Sequence, residues 1–137
     1  MNTLKSPTKS PKPDDILIGA RIKGARHNAG LSQTTLADAL GITFQQVQKY
    51  EKGTNRVGGS RMAEIAKTLG KPVAYFFEGV TGEGTASVAD VQEAQFTSSR
   101  EARRLINGFR ALPTGQRAAV LKLIEGLAEV AQDNGDA

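Results

Sequence analysis

Glutamine and lysine side chains concentrate between residues 45 and 52, and their chemistry suits the recognition of nucleic-acid bases. At 100° per residue, a helix through this stretch turns one polar face outward, which carries Gln45, Gln48, Lys49 and Lys52. A glutamine amide bonds N6 and N7 of adenine together, and a lysine donates to O6 and N7 of guanine. An ordinary solvated helix face has the same composition, so the interpretation depends on the surrounding elements.

These elements read as two short helices joined by a tight turn. Ser32 is a candidate N-cap for a helix that ends at Gly41, and Thr43 with Gln46 forms a capping-box signature for a helix that ends at Gly53. Apolar residues at helical spacing would form the inner seam between the two helices: Leu36, Ala37, Leu40, Ile42, Val47 and Tyr50. This is the pattern of a helix-turn-helix, whose second helix enters the major groove of DNA.

Three further helices are predicted around this pair. The first follows Asp14, a candidate N-cap, and ends at Gly30, and a second runs from Ser60 to Gly70. Pro72 begins a short fifth helix whose apolar residues are expected to plug the core, namely Val73, Phe76 and Phe77. The predicted fold class is therefore all-α, with five helices in the main domain.

The charge distribution supports a polyanionic partner for this domain. Of the 137 residues, 1–77 hold twelve Lys and Arg against five Asp and Glu, a net charge of +7, whereas the remaining residues carry −3. The sequence has no Cys and a single His, so no metal site and no cofactor are expected. No apolar run is long enough to span a membrane and no signal peptide is evident, so a cytoplasmic protein is expected.

The string from Leu31 to Gly53 resembles the lambda-repressor-like, Cro-type helix-turn-helix family, also called the XRE family of bacterial and phage regulators. The resemblance spans residues 14–78 and is carried by Leu31-Ser32-Gln33-x-x-Leu36-Ala37-x-x-Leu40-Gly41-Ile42-Thr43 and Val47-x-x-Tyr50-Glu51-x-Gly53. It implies a five-helix bundle in which Gln33, Asn55 and Arg56 contact phosphates. The base-reading positions that it implies are Thr43, Phe44, Gln45, Gln46 and Lys49.

Four residues within the resemblance have structural alternatives. Phe44 departs from the usual polar residue, and it either touches a thymine methyl group or packs against the preceding helix. The resemblance implies that Arg26 and Glu51 form a buried charge pair that orients the third helix. His27, which has no partner ligands, is expected to be a surface or capping residue.

The resemblance does not cover the segments that flank this domain. Residues 1–13 contain three Pro and three Lys and are predicted to be a flexible basic arm, either tracking phosphates or simply disordered. The glycine-rich composition of residues 79–96 predicts a flexible linker. A phosphate-binding loop is not supported there, because no Gly-Lys-Ser/Thr follows and no buried strand precedes. A helical pair is predicted over 97–132, and a disordered tail over 133–137. Dimerisation is the expected role of the pair, and docking on its own domain is the alternative.

The function expected from these features is sequence-specific regulation of transcription, most simply repression by a homodimer on an inverted repeat of double-stranded DNA. No catalysis is expected, since no Ser or Thr has an evident neighbouring base. An antitoxin that binds its own operator is one alternative, with residues 97–132 holding a toxin. A protein-binding scaffold is the other, although the charge of the domain argues against it.

Overall fold

The computed structural model describes residues 11–135, and this part of the chain is helical without any strand. The helices are α1 (Pro13–Asn28), α2 (Gln33–Leu40), α3 (Phe44–Lys52), α4 (Gly59–Leu69), α5 (Val73–Phe76), α6 (Val88–Thr97), α7 (Arg100–Arg110) and α8 (Thr114–Gly135). The all-α prediction is confirmed. The chain is divided into two compact units, of which the first ends at Arg100 and the second begins at Glu101.

Local capping signals account for the two central helices. The Ser32 Oγ accepts a hydrogen bond from the Thr35 N–H at 3.0 Å, and the Thr43 Oγ1 accepts one from the Gln46 N–H at 3.2 Å. Gly41 and Gly53 end α2 and α3 with φ of 69° and 78°, a conformation that side chains with a Cβ adopt only at a cost. The predicted bounds of both helices are confirmed.

The apolar core of the first unit lies between α1, α2, α3, α4 and α5. Its buried members include Ile22, Leu36, Val47, Ile65 and Phe76. Contrary to prediction, Val73 is 43% exposed and lies outside the core, and Phe77, which is 41% exposed, does not join Phe76 in it. The short helix α5 ends between these two residues, and successive residues there point in different directions.

Asp14 does not cap α1 as predicted. The helix begins two residues earlier than predicted, after Lys12, and the Asp14 side chain is buried in its first turn. Its carboxylate instead accepts hydrogen bonds of 2.8–3.2 Å from the backbone N–H groups of Thr81, Gly82, Gly84 and Ala86. Burial raises the pKa of this carboxyl, but the bonds from Thr81, Gly84 and Gly82 outweigh burial and leave the pKa below its ordinary value.

The linker predicted for residues 79–96 is wrong. The first part of the segment wraps around the Asp14 carboxylate, and the second part forms α6, which is capped by Ser87 and packs against α1. Gly79, Gly82 and Gly84 all have positive φ, so these glycines serve the fixed turns of this loop. Composition alone does not distinguish such a loop from a flexible linker.

The second unit contains most of α7 and all of α8. Arg117 joins the two helices: its Nε donates to the carbonyls of Phe109 (3.1 Å) and Leu112 (2.9 Å), and its Nη2 to that of Arg110 (2.6 Å). These bonds satisfy carbonyls at the C-terminal end of α7. Helix α8 has no buried residue, and it continues through Gly135, so the disordered tail predicted from residue 133 is wrong for 133–135.

The flexible arm predicted for residues 1–13 falls mainly outside the described part of the chain. Lys5 and Lys9 lie there, as do residues 136–137 of the predicted tail. Lys12 is described and is the N-cap residue of α1, although its side chain makes no capping bond. Pro13 is the first residue of the helix, where proline is well tolerated.

Candidate nucleic-acid interface

Two glycines allow α3 to lie directly against α1. A Cβ on Gly19 would lie 2.5 Å from the carbonyl oxygens of Tyr50 and Glu51, so no side chain fits between the helices there. At Gly53, a Cβ would lie 2.8 Å from the backbone of Asp15 and Ile16. Gly19 was not predicted to have this role, because its only signal in the sequence is a glycine in the interior of a predicted helix.

A buried ion pair fixes the inner side of α3. The Arg26 guanidinium binds the Glu51 carboxylate through both arms, with Nε–Oε2 at 2.6 Å and Nη2–Oε1 at 3.0 Å. The third nitrogen, Nη1, donates to the Leu31 carbonyl at 2.9 Å. Both side chains are more than nine-tenths buried, so the predicted charge pair is confirmed. Since every partner is hydrogen-bonded, the pair holds α1, the start of α2 and α3 in one arrangement.

The outer side of α3 presents polar groups to solvent. Gln45 and Lys49 are exposed and Gln46 is half-buried. The side chains of these three residues have no hydrogen-bond or ion-pair partner among residues 11–135. Thr43, also exposed, uses its hydroxyl oxygen for the cap of α3. The amide and ammonium groups that suit base edges are therefore available on the helix face opposite the core.

Phe44 lies at the surface rather than in the core. Its side chain is 42% exposed, and it borders a recess together with Gln33 and Thr34 of α2. The sequence left two alternatives open, contact with a thymine methyl group and packing against the preceding helix. The exposure of the ring is compatible with the first, and its position beside α2 is compatible with the second.

The three residues implied to contact phosphates occupy different surroundings. Gln33 is half-buried and its Nε2 donates to the Glu51 Oε1 at 2.9 Å, an interaction that the sequence did not predict. Asn55 is exposed in the loop after α3. The Arg56 side chain is 69% exposed, with its Nε 3.4 Å from the Asp15 carboxylate. Such an exposed pair is weak, so the Arg56 guanidinium can exchange its partner at little cost.

Arg61 holds the turn of the helix-turn-helix from the side of α4. Its Nη1 donates to the Leu40 carbonyl at 2.9 Å and so satisfies a carbonyl at the end of α2. The same nitrogen lies 3.4 Å from the Glu64 carboxylate. No local sequence pattern predicts this role, because the bond joins residues 21 positions apart.

The described residues offer no cluster of His, Cys, Asp and Glu that could hold a metal ion. His27 is half-buried beside the ion pair; burial lowers its pKa, and the positive charge of Arg26 lowers it further, so that the imidazole favours the neutral form. In residues 11–135, no helix is long and apolar enough to cross a membrane.

Comparison with known proteins agrees with this geometry. A family profile described as "Helix-turn-helix" matches residues 22–76. An uncharacterized HTH-type transcriptional regulator of Sinorhizobium medicae (strain WSM419) is 42% identical over 132 residues, which cover 90% of this chain and 95% of that protein. The chain belongs to the XRE family of helix-turn-helix transcriptional regulators.

The similarity to other XRE-family members extends beyond the helix-turn-helix. The HTH-type regulator y4aM of Sinorhizobium fredii (strain NBRC 101917 / NGR234) is 39% identical over 124 residues, covering 84% of this chain and 87% of its own. Matches of this length cannot be confined to residues 14–78, where the sequence resemblance was found. The similarity therefore extends beyond the helix-turn-helix, and this XRE-family chain is a DNA-binding regulator of transcription.

Proposed function

We propose that this regulator recognises a specific DNA sequence through the outer face of α3 and represses transcription as a homodimer on an inverted repeat. The observation that carries the proposal is the contrast between the two sides of α3. The inner side is locked by the Arg26–Glu51 pair and by contact at Gly19. The outer side presents Gln45 and Lys49 without partners in the described chain. A rigid helix with unsatisfied donors and acceptors suits direct readout in the major groove.

Phosphate contacts around α3 would fix its register on the duplex. Arg56 and Asn55 lie exposed in the loop that follows α3, and Gln33 is the first residue of α2. These groups carry no sequence information themselves, but they orient the helix that does. Gln33 would serve both purposes, because it also bonds Glu51 on the inner side of α3.

The homodimer is proposed on the apolar side of α8. This 22-residue helix has no buried residue, although it carries a run of large apolar side chains that are 42–62% exposed: Leu121, Leu123, Ile124, Leu127 and Val130. A helix with such a face is unstable in water unless it is covered. A second copy of α8 offers an identical face, and a two-fold pair would present two recognition helices to half-sites about 34 Å apart. Repression follows most simply, since a bound dimer occupies promoter DNA.

The antitoxin alternative uses the same face of α8 for a different protein. A chain that needs such a partner would remain monomeric or aggregate when purified alone, whereas a homodimeric regulator would not. The oligomeric state of the pure protein therefore separates the two functions.

Selection of genomic fragments tests the proposal. Purified full-length protein is incubated with sheared genomic DNA at physiological salt, and bound fragments are sequenced beside those bound by a Gln45→Ala/Lys49→Ala variant. We expect a recurring inverted repeat that the variant fails to enrich. Absence of any enriched sequence would contradict sequence-specific recognition, and a single half-site without its repeat would contradict the dimer. A reporter driven by a selected promoter should rise in activity when the gene is deleted; a fall would indicate activation.

A further inference from the structure

A basic recess lies at the edge of the first unit, beside the helix-turn-helix. Its walls come from three parts of the chain: Lys23 and His27 of α1, Gln33 and Thr34 of α2 with Phe44 of α3, and Arg100. All of these residues lie within the first compact unit. Arg100 stands 24 positions beyond the end of the segment that matches the helix-turn-helix family.

Two of the three Lys and Arg side chains that line the recess have no counter-ion within the described part of the chain. Arg26, which also borders it, is fully engaged with Glu51 and the Leu31 carbonyl. Lys23 and Arg100 have no hydrogen-bond or ion-pair partner among residues 11–135. Burial lowers the pKa of His27 most, followed by the positive charge of Arg26, whereas Glu51 raises it. The charges of Lys23 and Arg100 lower the pKa of His27 further, so both act at this point of the recess. Converging cations of this kind are stabilised when an anion binds between them.

The packing of α6 on α1 determines where Arg100 lies. Ser98, just after α6, is buried against Gly24, where a Cβ would lie 3.6 Å from the Ser98 Cβ. Lys23 is the chain neighbour of Gly24, and Arg100 follows Ser98 by two residues. The contact therefore brings Arg100, which lies outside the segment that matches the family, close to Lys23, which lies within that segment.

We propose that Lys23 and Arg100 together bind a phosphate of the DNA backbone beside the N-terminal turn of α2. This inference rests on the proposed function, because it takes duplex DNA as the source of the phosphate. The recess includes Phe44, the first residue of α3, so a duplex read by α3 runs past its opening. The first N–H groups of α2 lack intrahelical partners and add a positive potential at the same place. The helix α6 thus acts as a support that widens the DNA-binding surface beyond the five-helix domain.

Salt dependence of binding to a random-sequence duplex tests this site. Fluorescence anisotropy with full-length protein is measured over a series of NaCl concentrations for wild type, Lys23→Gln, Arg100→Gln and Arg100→Lys. We expect each glutamine variant to bind several-fold more weakly at low salt and to lower the salt slope by about one unit. Arg100→Lys keeps the charge and should keep most of the affinity. Lys67→Gln, a change of an exposed lysine on α4 outside the recess, is the matched control and should leave the slope unchanged.

Three results would overturn the assignment. The first is a wild-type slope and affinity in both glutamine variants. The second is an equal loss in Arg100→Lys and Arg100→Gln, because a phosphate contact depends on charge. The third is a change in the DNA sequences that Arg100→Gln enriches in the genomic selection, which would make Arg100 a base-reading residue. Random-duplex binding does not depend on sequence readout, so a failed selection would refute the proposed function while leaving the phosphate site measurable.

Discussion

At the scale of single residues, we expect Arg26 to affect DNA binding through the fold and not by contact with DNA. Its guanidinium bonds Glu51 and the Leu31 carbonyl, and the pair is almost completely buried. Removing one member leaves the other charge uncompensated in the interior, which costs more than the pair itself contributes. A binding defect in an Arg26 variant is therefore a folding defect.

We expect Arg26→Ala to lower the free energy of unfolding by about 3–5 kcal/mol. Urea denaturation followed by circular dichroism measures this. Arg56→Ala is the matched control, because that guanidinium is 69% exposed; it should change the stability by less than about 1 kcal/mol. Arg56→Ala should nevertheless weaken binding to all DNA sequences alike. Equal stability of the two variants would refute the structural role of Arg26.

Asp14 makes the stability of the first unit depend on pH in the acid range. The pKa of its carboxyl is raised by burial and lowered more strongly by hydrogen bonds from Thr81, Gly84 and Gly82, so it is lower in the folded than in the unfolded chain. As the pH falls, the Asp14 carboxylate is therefore protonated in the unfolded chain before it is protonated in the folded chain. Its contribution to the stability is complete above about pH 4 and is lost as the pH falls through its pKa in the folded chain.

We expect Asp14→Asn to destabilise the protein by about 1–3 kcal/mol at neutral pH, since the Asn amide cannot accept all of these bonds. The difference in unfolding free energy between wild type and variant should shrink as the pH falls below about 4. Asp15→Asn, on the same turn but paired only weakly with Arg56, is the control. If the difference in unfolding free energy between wild type and Asp14→Asn stays constant down to about pH 2, the loop does not depend on the charge of the carboxylate.

Residue-level prediction from the sequence succeeded where the family pattern identifies both partners and failed where they are distant. Arg26 and Glu51 both belong to the resemblance, so their pairing was predicted. The bonds of Asp14 reach residues 67–72 positions away, and no local pattern indicates them. A carboxylate beside a helix start normally caps that helix, and tertiary structure overrides this default here.

At the scale of helices, the position of α3 depends on the absence of a side chain at Gly19. A Cβ at this position would overlap the carbonyl oxygens of Tyr50 and Glu51 at 2.5 Å. These are backbone atoms, so relief requires a shift of the whole recognition helix. Gly24, five residues later on α1, faces only Ser98, whose Cβ would lie at an ordinary distance of 3.6 Å.

We expect Gly19→Ala to destabilise the protein by about 1–3 kcal/mol through overpacking. Gly24→Ala is a matched control on the same helix, and it should be neutral or stabilising by up to about 1 kcal/mol because alanine is the better helix former. Thermal unfolding of the two variants measures the contrast. Gly19→Ala should also weaken specific DNA binding by moving α3. Equal behaviour of the two variants would show that α1 and α3 are not in such close contact.

Helices with local signals at both ends were predicted well, whereas α6 was not. Ser32, Thr43 and the following glycines mark α2 and α3 within a few residues of sequence. The glycine and threonine content of residues 79–87 is the same as that of a flexible segment. The loop nevertheless has a fixed conformation, because its backbone binds the buried carboxylate of Asp14. The consequence is a first unit that extends to Arg100 rather than ending near residue 78.

At the scale of the whole molecule, the exposed apolar side of α8 determines the proposed oligomeric state. Ile124 and Leu127 lie on this side, one turn apart, and Lys122 lies on the opposite, polar side of the helix. Covering each of the large side chains in an interface is worth about 1.5–3 kcal/mol. The loss of two such side chains, with charges in their place, is enough to separate most dimers at micromolar concentration.

We expect full-length protein to sediment as a dimer and Ile124→Glu/Leu127→Glu to sediment as a folded monomer. Lys122→Glu should remain dimeric, which controls for added charge on α8. The monomeric variant should bind an operator far more weakly while retaining affinity for a half-site. Wild-type protein that sediments as a monomer would contradict the homodimer and favour a different protein on the same face.

Recognition by the outer face of α3 is the central claim, and a ratio of affinities tests it most directly. Binding of full-length wild type, Gln45→Ala and Lys49→Ala is measured by anisotropy on the selected operator and on a random duplex at one salt concentration. We expect each substitution to cost about 1–3 kcal/mol on the operator and little on the random duplex, so that the ratio of the two affinities falls. Losses that are equal on both duplexes would contradict base readout by α3 and reduce these side chains to general contacts with phosphate.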